Sequence, residues 1–139
     1  MCKEKEIIFI VDATQGLGAN PINLDEVHVD VLFATCYKWL LAGYGTGVAI
    51  ATKDFEQKHD LLLAGHGSVL NGFEKVRDLK DYVTGIQRFE LGHLKTQQIF
   101  ALHSAIKELQ DIGFDRIQER TQYLRDLLVE KMLKSGPKI

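Results

Sequence analysis

Val29-Asp30-Val31-Leu32-Phe33-Ala34-Thr35-Cys36-Tyr37-Lys38-Trp39-Leu40-Leu41 is an apolar strand that runs straight into a lysine flanked by hydroxyl and bulky apolar side chains. Burial penalises the charged ammonium and lowers its pKa, so an amine in such a place is a candidate carbonyl trap, able to form a Schiff base near neutral pH. Upstream, Ile7-Ile8-Phe9-Ile10-Val11 ends on Asp12 in the same way. An acid and an amine, each closing a hydrophobic strand, read as two halves of one site.

Working outward, residues 6–11 form a continuous apolar run, the pattern of a strand covered on both faces in a parallel sheet. Asn20-Pro21 marks a turn, and Asn23 is placed to cap a helical turn over residues 24–27. Strands are expected at 28–35 and 46–52. Only residues 37–45 lie between the last two, too few for a helical crossover, so the third strand should run antiparallel to the second. Residues 55–87, with Gly65, Gly67, Gly72 and Gly85, are the least periodic part and read as an ordered excursion over the sheet edge. Ile99, Leu102, Ala105, Ile106, Leu109 and Ile112 then recur at helical spacing, and Gly113 supplies the stop. A second helix is expected from about Asp115, carrying Ile117, Leu124, Leu127, Leu128 and Met132 and ending near Ser135-Gly136-Pro137.

At 139 residues the chain is long enough for one core, and its 45% apolar and 26% charged content with net charge −2 is ordinary for a globular protein. No basic stripe points to nucleic acid or an anionic membrane. The charged start, Met1-Cys2-Lys3-Glu4-Lys5-Glu6, does not read as a signal peptide, and no apolar run reaches membrane-spanning length. Cys2 and Cys36 are too few for a disulfide framework, which favours a reducing, cytoplasmic setting. His28, His59 and His103 are scattered, without zinc-ligand spacing. Gly43-Tyr44-Gly45-Thr46-Gly47 precedes a strand, whereas a dinucleotide-binding loop follows one, so these glycines are read as a tight reversal.

Val11-Asp12-Ala13-Thr14-Gln15, then Gly18 and Pro21, Asp30, Thr35-Cys36-Tyr37-Lys38-Trp39-Leu40 and Gly45-Thr46-Gly47 follow in an order that resembles the cofactor-binding core of the class V aminotransferase family. Gly65-His66-Gly67-Ser68 and Gln87-Arg88-Phe89-Glu90-Leu91-Gly92 continue the resemblance, which covers roughly residues 7–128. That family uses pyridoxal 5′-phosphate (PLP) and includes aminotransferases, cysteine desulfurases, kynureninases and isopenicillin N epimerase-like enzymes. The resemblance implies a three-layer α/β/α piece of the PLP-dependent transferase large domain, a mostly parallel sheet with an antiparallel strand, ending in two helices.

Roles follow from the same resemblance. Lys38 would form the Schiff base with the cofactor and move the proton at the substrate's α-carbon; otherwise it is a snorkelling surface lysine. Asp12 would pair with the protonated pyridine nitrogen, keeping the ring an electron sink, against the alternative of an aspartate that merely opens a turn. Gln15 would donate to the cofactor's phenolic oxygen. Thr35 and Tyr37 stand where family members hold the phosphate, often with serine and histidine, and both are hydroxyl donors; a buried aromatic is the competing reading for Tyr37. His93 departs from the threonine or asparagine common after the glycine of the Arg-Phe-Glu-x-Gly segment, a side chain that reaches the phosphate of the neighbouring subunit. His66 either faces a partner's site or is solvated.

The resemblance also implies that residues 1–139 are part of a PLP-binding large domain whose last helix, about 115–134, leads toward a small C-terminal domain absent from the chain. An N-terminal phosphate-cradling loop and stacking aromatic are missing too. Exposed strand edges then predict a homodimer or a complementary chain. Two classes of function remain: a PLP-dependent enzyme segment whose parent, a transferase or related lyase or desulfurase, acts on an amino-acid substrate, and a non-catalytic interaction domain that keeps the fold. Intact Asp12, Gln15 and Lys38 favour the first.

Overall fold

A computed structural model describes residues 1–59, 63–70, 82–93 and 95–136. Three short apolar segments, β1 (Ile10–Asp12), β2 (Val31–Thr35) and β3 (Gly47–Ala51), form one sheet in the order β1-β2-β3. β1 and β2 run parallel, with Ile10 opposite Val31 and Asp12 opposite Phe33. β2 and β3 run antiparallel, with Val31 opposite Ala51 and Thr35 opposite Gly47. The short 36–46 connection dictates that reversal, as its length predicts.

β2 alternates strictly: Leu32 and Ala34 are buried, Phe33 and Thr35 exposed. The buried face continues into Cys36, Leu40 and Ala42, which pack with Leu109 and, around them, Leu102, Ala105, Phe114 and Ile117. Those last residues belong to α2 (Thr96–Ile112) and α3 (Phe114–Ser135), separated by Gly113 at φ 95°. A second buried group, Ala13, Leu32 and Ala34, adjoins the first through Leu17 and Val48. Both helices therefore cover one face of the sheet, as the 3.6-residue spacing of their apolar positions requires. No helix among the described residues is long and apolar enough to cross a membrane.

The first strand is shorter than its apolar run predicts. Lys3–Lys5 is a 3₁₀ turn closed by Glu6 in the left-handed region, and the Phe9 N–H donates to the Asp30 carboxylate at 2.7 Å, so ladder pairing begins only at Ile10. Nor is that run covered on both faces. Ile7, Ile8, Phe9 and Ile10 are exposed, because β1 is the edge strand of the described sheet and both long helices pack beneath its neighbour. The 24–27 turn forms as expected, Asn23 accepting from the Asp25 N–H at 3.0 Å.

α1 (Lys53–Lys58) overlaps the start of the stretch that shows no periodicity, 55–87. Its six residues are too few to display a period. Its local signal is the N-cap: Thr52 Oγ1 accepts from the Phe55 N–H at 3.2 Å, and Lys58 pairs with Asp54 one turn earlier at 2.9 Å. The Arg88 guanidinium donates to the carbonyls of Glu56 and His59, fastening the end of α1 to a second 3₁₀ turn, Ile86–Phe89. Of the predicted excursion, residues 60–62 and 71–81 lie outside the described part.

Asp30 ties all three strands at their outer end. Its carboxylate accepts from Phe9 and lies 3.1 Å from the His28 ring, its N–H donates to the Phe9 carbonyl, and its own carbonyl accepts from Thr52. The Phe9 N–H holds the carboxyl below the ordinary carboxylate range, partial dehydration opposes this, and the nearby His28 and His59 charges add to the lowering. A depressed folded-state pKa contributes stability that is present above the unfolded value and lost as pH falls through the folded one. Asp30→Asn is therefore expected to lose less stability on acidification than the parent chain, read as the difference in thermal midpoint between neutral and acidic buffer. Leu32, 2% exposed, is the largest side chain of the second buried group, and Leu32→Ala is expected to cost about 2–5 kcal/mol in urea unfolding.

Candidate active site

Parallel pairing places the ends of β1 and β2 side by side, and the alternation that buries Leu32 and Ala34 sends Asp12, Phe33 and Thr35 to the opposite face from α2 and α3. Tyr37, exposed, continues that side beyond β2. In an open α/β sheet this is the edge that receives ligands.

Asp12 closes β1. One of its carboxylate oxygens accepts from the Thr14 N–H at 2.9 Å. The Thr14 hydroxyl, then that N–H, hold the carboxyl below its usual range; partial dehydration opposes them, and the charge of Lys38 adds to the lowering. The charge of Lys38 thus reaches the Asp12 carboxylate.

Lys38 is half-buried, not sequestered as the apolar strand before it predicts. β2 ends at Thr35, and the chain turns at once: the Lys38 carbonyl accepts from Leu41, itself left-handed at φ 55°, and the Cys36 carbonyl accepts from Ala42. That turn lifts Lys38 out of the core while Cys36 and Leu40 stay in it. Its Nζ lies 5.8 Å from the centroid of the Tyr37 ring. Tyr37 is itself stacked on Tyr44, with centroids 4.7 Å apart and planes at 23°. This contradicts the buried-aromatic alternative for Tyr37. Tyr44, which lies in the glycine-rich reversal, is the ring it stacks on.

Gln15 is exposed in the turn that follows Asp12, a turn closed by N–H bonds from Gly16 and Leu17 to the Ala13 carbonyl. Gly18 seats this turn against the lysine turn. A Cβ there would lie 2.8 Å from the Trp39 carbonyl oxygen, and its φ of +96° disfavours any L side chain. His93 is exposed and packs against His66, ring centroids 4.2 Å apart. Their loops meet because Gly65 has no side chain; a Cβ on it would overlap the Leu91 carbonyl. The Lys95 ammonium comes within 3.8 Å of the position a Cβ would take on Gly45, next to Tyr44.

Cys36 is fully buried and burial pushes its thiol up, so it is a packing residue without a ready thiolate. Among the described residues no group of three or more His, Cys, Asp and Glu is placed to hold a metal. A cavity of about 720 Å³ lies at the other end of the sheet, lined by His28, Asp30, Phe55 and His59 among others, and contains none of the candidate residues.

The sequence profile described as Aminotransferase class-V matches residues 1–138. The chain belongs to the class V aminotransferase family. An uncharacterized aminotransferase of Schizosaccharomyces pombe is 31% identical over 143 residues, covering 96% of this chain and 35% of the relative. A probable cysteine desulfurase of Pyrococcus abyssi is 29% identical over 125 residues, covering 89% and 30%. The cysteine desulfurase of Thermococcus onnurineus has a similar structure, with a TM-score of 0.78 at 26% identity over 92% of this chain and 31% of its own. Alanine–glyoxylate aminotransferase from a Nostoc species shares the fold, with a TM-score of 0.67 at 19% identity over 97% and 35%. The chain spans about a third of the length of these class V relatives. Their family is PLP-dependent.

Gly18→Ala tests whether the two turns must touch. The substitution combines positive φ with a clash on backbone, and is expected to cost about 1–3 kcal/mol in denaturant unfolding. An unchanged midpoint would mean that the turns separate freely.

Proposed function

We propose that this chain is the cofactor-anchoring segment of a PLP-dependent enzyme that acts on an amino acid. The observation that carries the reading is the Asp12 carboxylate, held ionised at the end of β1 on the face opposite α2 and α3, within the field of the Lys38 ammonium. Bound there, PLP supplies an electrophilic aldehyde and a ring that accepts the electrons of a substrate carbanion.

This chain's residues fit that group chemically. Lys38 is the amine for the aldehyde and the base that moves the proton at the substrate's α-carbon. Asp12, as an anion, keeps a proton on the ring nitrogen. Gln15 supplies an amide donor for the phenolic oxygen, and Thr35 and Tyr37 supply hydroxyl donors for the phosphate. His93, paired with His66, takes the place where other members reach a neighbouring subunit's phosphate, and an imidazole can donate there.

The residues fall within one large domain, with α3 leading toward the small domain of the longer relatives. Apolar surface at Ile7, Ile8 and Ile10 on the sheet edge, and at Leu128 and Leu133 on α3, supports a partner, either a second copy or a complementary chain. Two free cysteines suit a reducing compartment such as the cytoplasm. Buried Cys36 does not serve as a sulfur carrier, so transamination, elimination, epimerisation and desulfuration by a thiol elsewhere all stay within the reading.

The test is chemical labelling. The chain is mixed with PLP, reduced with borohydride and digested, and the pyridoxyl label is mapped by mass spectrometry. Label concentrated on Lys38, and lost to background in Lys38→Ala, is the expected result. Label spread over surface lysines, or none, would replace the reading with a non-catalytic domain that keeps the fold.

A further inference from the structure

Thr14 sits between the two strand ends with its N–H and its hydroxyl engaged. Its N–H donates to Asp12 at 2.9 Å, and its Oγ1 accepts from the Thr35 N–H at 3.2 Å. That second bond keeps the hydroxyl near the Asp12 carboxyl, whose pKa it lowers. The bond to Thr35 is not available to an aliphatic side chain. The residue is half-buried, adjacent to buried Ala13, and its hydroxyl bridges two parallel strands just beyond their last ladder pair, Asp12 opposite Phe33.

We propose that Thr14 is a positioning residue: its N–H holds the Asp12 carboxylate and its hydroxyl holds the backbone of Thr35, so that the acid and the phosphate-side hydroxyl are kept in fixed relation across β1 and β2. The purpose of the link rests on the PLP reading; the link itself does not. The N–H restricts rotation of the carboxylate, and the Thr35 anchor stops Thr14 from swinging away with it. Besides Thr14, the charged group that acts on Asp12 is Lys38. Thr14 and the charge of Lys38 both favour the ionised acid.

The experiment follows the Asp12 side-chain carboxyl by carbon NMR through an acid titration of the full chain without cofactor, in the parent, Thr14→Val and Thr14→Ser, with urea unfolding of each. Thr14→Val is expected to shift the Asp12 midpoint upward, while Thr14→Ser keeps it near the parent value. A merely structural threonine would change the unfolding midpoint and leave the carboxyl titration of the folded protein in place. If Thr14→Val does not fold, Thr14→Ala is read instead. An unshifted midpoint in the aliphatic variant, or an equal shift in the serine variant, overturns the proposal. PLP labelling of the parent separates the two claims: Lys38 labelled with an insensitive Asp12 removes only the role of Thr14. A sensitive Asp12 with Lys38 unlabelled keeps the link and removes only the cofactor reading.

Discussion

Leu32 and Ala34 are buried on one face of β2, and the two-residue period of a strand then leaves Phe33 and Thr35 no choice but the other side. Everything distinctive about the molecule follows from that register. A slip of one residue would bury Phe33 and Thr35 and expose the packing residues Leu32 and Ala34. The apolar inner row is thus what aims the candidate site, although none of its members touches it.

The same constraint explains why both ends of the sheet are closed by carboxylates. At the outer end Asp30 takes the N–H of Phe9 before ladder pairing begins. At the inner end Asp12 takes the N–H of Thr14 after it stops. Each satisfies backbone groups that a short parallel pair leaves unpaired, and each is kept ionised by doing so. Each also feels the charge of an amine, Lys38 at the inner end and Lys58 at the outer.

Close backbone approach is the second device. Gly18 lets the turn after Asp12 lie on the carbonyl of Trp39, and Gly65 lets the histidine-bearing loops touch. Long helices on one side, glycine-tightened turns at the strand ends and an exposed apolar edge together describe this class V aminotransferase core, with the candidate residues Asp12 and Thr35 on the face opposite α2 and α3.

Much of this was legible in the chain itself. Period two in 31–35, period 3.6 in 96–135, the short antiparallel connection and the glycine between the helices are local patterns, each produced by geometry that repeats within a few residues. The family motif around Asp12 and Lys38 was equally plain. α1 escaped notice because six residues hold no full repeat, and the early end of β1 did so because a side chain far along the chain, Asp30, takes the N–H that would have extended it. The half-exposed setting of Lys38, the Tyr37–Tyr44 stack, the His66–His93 pair and the Thr14 bridge belong to the tertiary structure alone. Residue types and spacing determined which groups were available and which face of each element they occupied. Which group meets which depends on contacts between segments distant in sequence, and those are decided only when turns close and helices pack.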